Sequence, residues 1–340
     1  FNERMPRMAD RPITVVTHRV FPETIAILKD WTELRINDGE TSLPRDEVRR
    51  LCRDASAMMA FMPDTVDEEF LRSCPNLKIV ACALKGYDNF DVEACTRRGV
   101  WITIVDDLLT IPTAELAVGL MIGIARHVKT GDRFIRSGEF NAWRPDFYGM
   151  GLSGRTVGII GMGKVGQAIA QRLSGFDTRL IYTDVRALNP VTAASLKVTR
   201  TSFEGLICHS DYTIIATPLN VETLHLIDAG VLRMMKPGAI LVNPGRGSIV
   251  DEEAVASALS DGSLAGYAAD VFEFEDWARN DRPKSISENL LKHPERTLFT
   301  PHIGSAVVDV RKAIEAEAAA NILEALRGER PTGAINDVEN

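Results

Sequence analysis

Gly161-Met162-Gly163-Lys164-Val165-Gly166 follows the apolar run TVGII and leads into AIAQRLSGF, a stretch of helical composition. Strand, glycine turn and helix in that order make an anion cradle, because a helix N-terminus offers backbone N–H groups and a favourable dipole to a phosphate. Gly161 permits the tight turn, Gly163 lets a pyrophosphate approach the backbone, and Gly166 allows close packing of helix on strand. Met162, Lys164 and Val165 complete the cradle. About 20 residues on, where a ribose-binding acid belongs, Asp184 ends TRLIYTD. Its carboxylate would accept hydrogen bonds from ribose hydroxyls and repel a 2′-phosphate. The spacing therefore predicts NAD as the cofactor, in preference to NADP. Arg186 is either a solvated surface group or a partner for a 2′-phosphate, which would admit some NADP.

A second set of residues could act on a small anion. Arg246 lies in LVNPGRGSIVD, after an apolar strand and between glycines, at the strand end where open α/β sheets place ligands. A guanidinium there suits two-point capture of an oxyanion. His302 stands in TLFTPHIGS, and Glu275 closes the run AADVFEFE. Glu275 could pair with the imidazole, orient it and raise its pKa, as acid–base catalysis asks. Lys85, just past KIVACAL, faces either solvent or a cleft between domains, and Met62, ending AMMAFM, is either core or cleft. His18, His127, His209, His225 and His293 have no comparable context and read as surface or packing residues.

These residues need two sheets to position them. From Ile13, the runs ITVVTH, AMMAFM, KIVACAL and GVWITIV alternate with amphipathic stretches, and a second series runs from RTVGII through TRLIYTDV, SDYTIIATPL, GAILVNPG and LAGYAADV. That is the rhythm of two doubly wound parallel sheets. The stretch TAELAVGLMIGIARHVKTGDRFIRSG reads as one long bridging helix after Pro112 with Thr113 as its cap, and AVVDVRKAIEAEAAANILEALRGE as a final helix ending near Gly328. EDWARNDRPKSISENLLKHPER reads as a long loop with one helix.

Bulk properties agree. A chain of 340 residues with 45% hydrophobic and 25% charged residues suits two globular domains. A net charge of -8 excludes a general nucleic-acid surface. The five cysteines form no C-x-x-C pair and are expected to be reduced structural thiols, with no metal site. No signal peptide or long apolar span is seen, so a cytoplasmic protein without membrane contact is expected. The start, FNERMPRMAD, is polar and is expected to be partly disordered or an expression remnant.

Arg246 in NPGRGSIVDEEA, Glu275 after AADVFE and His302 in TPHIGSA, behind GMGKVG, together resemble the D-2-hydroxyacid dehydrogenase family over nearly the whole chain. The resemblance implies a Rossmann NAD-binding domain, residues 111–303, inserted into a flavodoxin-like catalytic domain made of 11–110 and 304–340. It also implies a cleft between them and a homodimer. Arg246 would bind the substrate anion, Glu275 support the histidine, and His302 act as acid or base. Lys85 stands where most members have small residues that hold a carboxylate by backbone N–H groups. MMAFMPD, CALKGYDNFDVEACTRRGVWIT, GYAADVFEFEDWARNDRP and FTPHIGSAVVDVR look like the family's phosphite-oxidising members. That likeness adds Lys85, Gly86, Met62 and Arg311 as substrate residues, and Thr113, Pro218 and Asp270 beside the cofactor. Gly245, where a cysteine is common, and Phe274, where methionine is, depart from it. The expected reaction is oxidation of phosphite to phosphate with hydride transfer to NAD. A dehydrogenase of glycerate, lactate or hydroxypyruvate is the alternative, and an NAD-sensing, corepressor-like binding protein a more distant one.

Overall fold

The computed structural model describes residues 11–338; the N-terminal run FNERMPRMAD, with its expected disorder, lies outside them. Short runs of β-branched and small apolar residues form the strands. In the first sheet these are β1 (Ile13–Val16), β2 (Glu33–Ile36), β3 (Ala57–Ala60), β4 (Ile79–Cys82) and β5 (Trp101–Thr103). They pair in parallel in the order β2-β1-β3-β4-β5, the flavodoxin-like arrangement. Successive side chains alternate faces, so Met58, Val80 and Ile102 pack with Phe70 and Leu71 on one side. On the other, Met59 and Ala81 meet Ile314, Ala318 and Ile322 of the helix Val308–Leu326.

The second sheet holds β6 (Thr156–Ile160), β7 (Arg179–Thr183), β8 (Val198–Arg200), β9 (Tyr212–Ile215), β10 (Ala239–Asn243), β11 (Leu264–Ala269) and β12 (Thr297–Phe299). Its order, β12-β11-β10-β9-β6-β7-β8, is the Rossmann order with one further strand, and the switch point lies between β6 and β9. Ligands of such sheets bind at the carboxyl ends of the strands at that point. The edge strands β2 and β8 are absent from the sequence reading. Both are short and polar, ELRI and VTR, and carry no clear period.

Other expectations need correction. The bridging helix is two, Thr110–Ala125 and Val128–Arg136, bent by 62°. The Ala125 carbonyl accepts from Met150 N–H at 2.9 Å, and His127 turns left-handed at φ 53°, so the helix cannot run on. Thr113 is no cap, because the helix starts at Thr110 with Pro112 in its first turn. The chain divides into two compact units: the first runs to Leu109 and includes Trp277–Asn280 and everything from Ala306, the second is Thr110–Asp276 with Asp281–Ser305. The boundaries drawn at 110/111 and 303/304 thus shift by one or two residues, and the return of Trp277–Asn280 to the first unit was not foreseen.

Among the described residues no single helix is long and apolar enough to cross a membrane. The bent pair Thr110–Ala125 and Val128–Arg136 passes by length and composition only, and Ala114, Ala117, Leu120, Met121 and Ile124 of its first member are buried in the second unit's core. All five cysteines are free thiols; Cys52, Cys74, Cys82 and Cys95 are buried.

Candidate active site

The glycine turn follows β6 at the switch point of the second sheet. Gly161 has φ 91°, and a Cβ there would crowd the Ala216 carbonyl and Thr217 N. A Cβ on Gly166 would strike the Gly161 carbonyl, whereas Gly163 faces open space. The helix Lys164–Leu173 has Gly163 as its N-cap, with no side chain capping it. Asp184, one residue past β7, accepts from Met162 N–H at 2.6 Å and from Arg186 N–H at 2.8 Å. The acid therefore anchors the turn as well as ending the strand. A cradle that no Cβ fills, a helix N-terminus and a carboxylate at the next strand end fit a dinucleotide's pyrophosphate and ribose. Val165 is half-buried in that helix, and Lys164 is exposed. Pro218, after β9, is exposed and its carbonyl accepts from Thr223 Oγ1 at 2.8 Å.

Asp270, after β11, is buried and accepts from Thr300 Oγ1 at 2.6 Å and from the N–H groups of Ile303 and Gly304 at 2.8 Å. Burial pushes its carboxyl up, with those bonds opposing. It pins the loop that carries His302, whose own N–H donates to the Asp270 carbonyl at 2.8 Å. A Cβ on Gly304 would touch both Asp270 Oδ2 and Thr113 Oγ1, so Thr113 lies against this loop.

His302 adopts φ 54°, in the left-handed region. Its Nδ1 stands 2.8 Å from Glu275 Oε2, and Glu275 Oε1 accepts from Phe272 N–H at 2.6 Å. A carboxylate only accepts, so Nδ1 carries the hydrogen and Nε2 is left to take or give a proton. The two side chains are 27% and 19% exposed, open enough for proton exchange and closed enough to hold orientation.

Arg246 follows β10 and enters the 3-10 helix Gly247–Ile249. Asn243, fully buried, clamps it: Nδ2 donates to the Arg246 carbonyl at 2.9 Å and Oδ1 accepts from Gly245 N–H at 3.0 Å. The 3-10 helix Glu273–Glu275 is tied alongside. Ser248 N–H donates to Asp276 Oδ2 at 2.7 Å, Glu273 N–H to Glu252 Oε1 at 2.8 Å, and Glu252 N–H to Glu273 Oε1 at 3.2 Å. Burial pushes the carboxyls of Asp276 and Glu252 up. The arginine and the glutamate thus sit on two short segments locked together, with the histidine on a third, the loop pinned by Asp270.

In the first unit, Lys85 leaves β4 through Ala83 and Leu84, followed by half-buried Gly86. Its ammonium lies 2.5 Å from Asp106 Oδ1 and 3.6 Å from Asp107 Oδ1. Arg311 projects from the helix Val308–Leu326 to the Ala83 carbonyl at 3.3 Å, over the Phe61 ring at 5.7 Å. Burial lowers its pKa, with Glu315 opposing. Met62, after β3, packs against the core and accepts from Asn89 Nδ2 at 2.8 Å through its carbonyl. Lys85, Gly86, Met62 and Arg311 therefore share the carboxyl edge of β3 and β4.

Four residues escaped the sequence reading. Arg200 donates to the Asp184 carbonyl at 2.8 Å, a second guanidinium near Asp184 that follows from β8 pairing with β7. His225, read as surface or packing, pairs with Glu273 at 2.8 Å. His18, read likewise, packs against Phe61 with the ring centres 5.2 Å apart and the planes tilted by 41°, its pKa lowered by burial and by Arg311. Asp106 had no motif around it. Among the described residues no group of three or more His, Cys, Asp or Glu is arranged to hold a metal.

Residues 118–304 match the model of the D-isomer specific 2-hydroxyacid dehydrogenase NAD binding domain. The chain is 37% identical over 331 residues to a glyoxylate reductase of Pyrococcus furiosus, covering 96% of both. Among solved structures, the TT0316 protein of Thermus thermophilus superposes with a TM-score of 0.86 at 32% identity, over 95% of this chain and 100% of that one. A glyoxylate reductase from Paecilomyes thermophila gives 0.81 at 26% identity, over 96% and 98%. These reductases bear the name of a 2-oxoacid activity, not that of the phosphite-oxidising members whose stretches the sequence resembles. With an NAD-binding domain matched over more than half the chain and a relative aligned over nearly all of it, the chain belongs to the D-isomer specific 2-hydroxyacid dehydrogenase family as an NAD(P)-dependent oxidoreductase.

Proposed function

We propose that this chain is a phosphite dehydrogenase, oxidising phosphite to phosphate. The observation that carries the reading is the pair of cations, Lys85 and Arg311, at the carboxyl edge of the first sheet. A 2-hydroxyacid presents one carboxylate and a carbon chain. Phosphite presents up to two negative charges on its oxygens and no carbon, so it favours added cations over an apolar pocket. Arg246 has the fork that suits a two-point grip on an oxyanion, and Lys85 and Arg311 are the charges the first unit offers to one. His302, held by Glu275, would take a proton from the attacking water through Nε2. Phosphorus gains the water oxygen as the P–H bond breaks and its electron pair leaves as hydride. NAD, which the glycine turn and Asp184 would hold, would supply the hydride acceptor.

A second reading is reduction of a 2-oxoacid such as glyoxylate. It is favoured by the names of the relatives, and it would use Arg246, Glu275 and His302 in the same way. The test is NADH formation, followed by near-ultraviolet absorbance, with phosphite, D-lactate, D-glycerate and formate, beside NADH consumption with glyoxylate. Phosphite is expected to exceed all the others in kcat/KM. Glyoxylate reduction above phosphite oxidation would hand the function to the second reading. We also propose, from the family resemblance, a homodimer, and, from the charge and apolar pattern of the sequence, a cytoplasmic protein with no nucleic-acid or membrane partner.

A further inference from the structure

The end of β5 brings a carboxylate to Lys85. β4 and β5 pair in parallel, Ile79 with Trp101 through Ala81 with Thr103, and past both strands the register shifts, so that Val105 N–H donates to the Leu84 carbonyl at 3.0 Å. The residue after Leu84 is Lys85, and the residue after Val105 is Asp106. That bond, and not the strands' own register, which would set Asp107 opposite Lys85, brings the two side by side. The carboxylate is held in place, because Asp106 Oδ1 also accepts from Asp107 N–H at 3.0 Å, Leu108 N–H donates to the Asp106 carbonyl at 2.8 Å, and Asp107 takes φ 62°. Asp107 Oδ1 lies 3.6 Å from the same ammonium. An anion that takes the ammonium competes with Asp106 for it.

We propose that Asp106 is a latch on Lys85, which an anionic substrate must displace, so that it weakens the enzyme's apparent affinity for anions. The inference rests on the reading of Lys85 as a substrate-binding residue. The pair is exposed, with Lys85 at 37% and Asp106 at 57%, so solvent and substrate both reach it. An ion pair of this exposure is worth little, which lets the exchange occur without a large barrier.

The test is Asp106→Asn, which removes the charge while its amide oxygen still accepts the Asp107 N–H and keeps the turn. Asp106→Ser repeats it with a hydroxyl acceptor. The KM for phosphite is expected to fall about two- to fivefold, the range an exposed ion pair spans, while kcat and the KM for NAD stay near the parent's. Inorganic sulfate, an inert dianion, should become a stronger competitive inhibitor by the same factor. A merely structural role would not improve binding. A phosphite KM and a sulfate inhibition constant that stay level or rise in both variants would overturn the latch. If the parent turns over glyoxylate and not phosphite, the same measurement is made with glyoxylate. A lower KM then keeps the latch while discarding phosphite as substrate, and an unchanged one overturns the latch as well.

Discussion

Replacing Gly247 with alanine tests whether the two locked segments set the chemistry. A Cβ at Gly247 would lie well inside 3.0 Å of the Phe272 carbonyl carbon and oxygen and of Glu273 N, all backbone atoms of the segment leading to Glu275. No rotamer relieves such a clash. The segments carrying Arg246 and Glu275 must separate by more than about 1 Å to reach contact distances that real Cβ atoms show. The Ser248–Asp276 and Glu252–Glu273 bonds oppose that movement, so the strain falls on the site. Overpacking of this kind costs about 1–3 kcal/mol, which a protein of ordinary stability survives folded. A misplacement of about 1 Å at reacting groups costs on the order of a hundredfold in rate. Gly247→Ala is therefore expected to lose roughly a hundredfold in kcat/KM and a few degrees in Tm. NADH binding, followed by fluorescence, should stay close to the parent's, because the glycine turn follows β6 and not β10. A folded variant with parental kcat/KM would refute the reasoning, since the separation would then have been absorbed without moving Arg246 against Glu275.

Lys85→Ala should raise the KM for phosphite about ten- to a hundredfold, the loss of one charge-assisted contact, and leave the KM for NAD unchanged; equal phosphite use would reduce Lys85 to a partner of Asp106. Asp184→Ala should raise the ratio of NADP to NAD use, because it removes the acid and leaves Arg186 and Arg200 beside the site. It should also raise the KM for NAD by loosening Met162, and an unchanged cofactor ratio would show that the acid does not face the ribose. Asp64, which accepts from Thr17 Oγ1 at 2.5 Å and Phe61 N–H at 2.7 Å, has its carboxyl pushed up to about 6 by burial. A raised carboxyl stabilises the fold fully below its unfolded value near 3.8 and loses that contribution as pH rises through about 6. Asp64→Asn keeps an acceptor for both donors, which share one oxygen, and escapes the loss. The Tm of the variant relative to the parent should therefore widen between about pH 4 and 7, by up to about 3 kcal/mol in stability; parallel curves would contradict it.

What was legible in the sequence follows from what is local. The glycine turn, Asp184 and the strands around them are continuous in the chain, and the strand-turn-helix order alone assigned them. His302 and Glu275 are 27 residues apart, yet both follow apolar strands that pair with each other's neighbourhood in the sheet, and their distance of 2.8 Å bears out the pairing. The long helix was misread because its composition stays helical through His127. Only the return of Met150 to the Ala125 carbonyl ends it, a contact that no local pattern encodes. His225 with Glu273 and Asp106 with Lys85 depend on register between strands or loops far apart in sequence, and so were invisible until the sheets were built.

Substrate choice hangs on fewer residues than the family does. An identity of 37% over 331 residues shows the family, and a shared fold does not by itself fix the substrate. The two cations of the first unit are different in kind. Lys85 forms an exposed ion pair, worth about 0–1 kcal/mol, too little to be there for stability. Arg311 is a five-donor guanidinium, half-buried and desolvated enough to lower its pKa, yet it has one hydrogen bond, at 3.3 Å, and no ion pair among the described residues. Holding a cation so poorly compensated lowers stability. Glu315, the nearby acid, already accepts from Phe21 N–H and Thr24 Oγ1 at 2.9 Å. A charge that the fold itself does not need, at the strand ends where such sheets bind ligands, is best accounted for by an anion that arrives with the substrate.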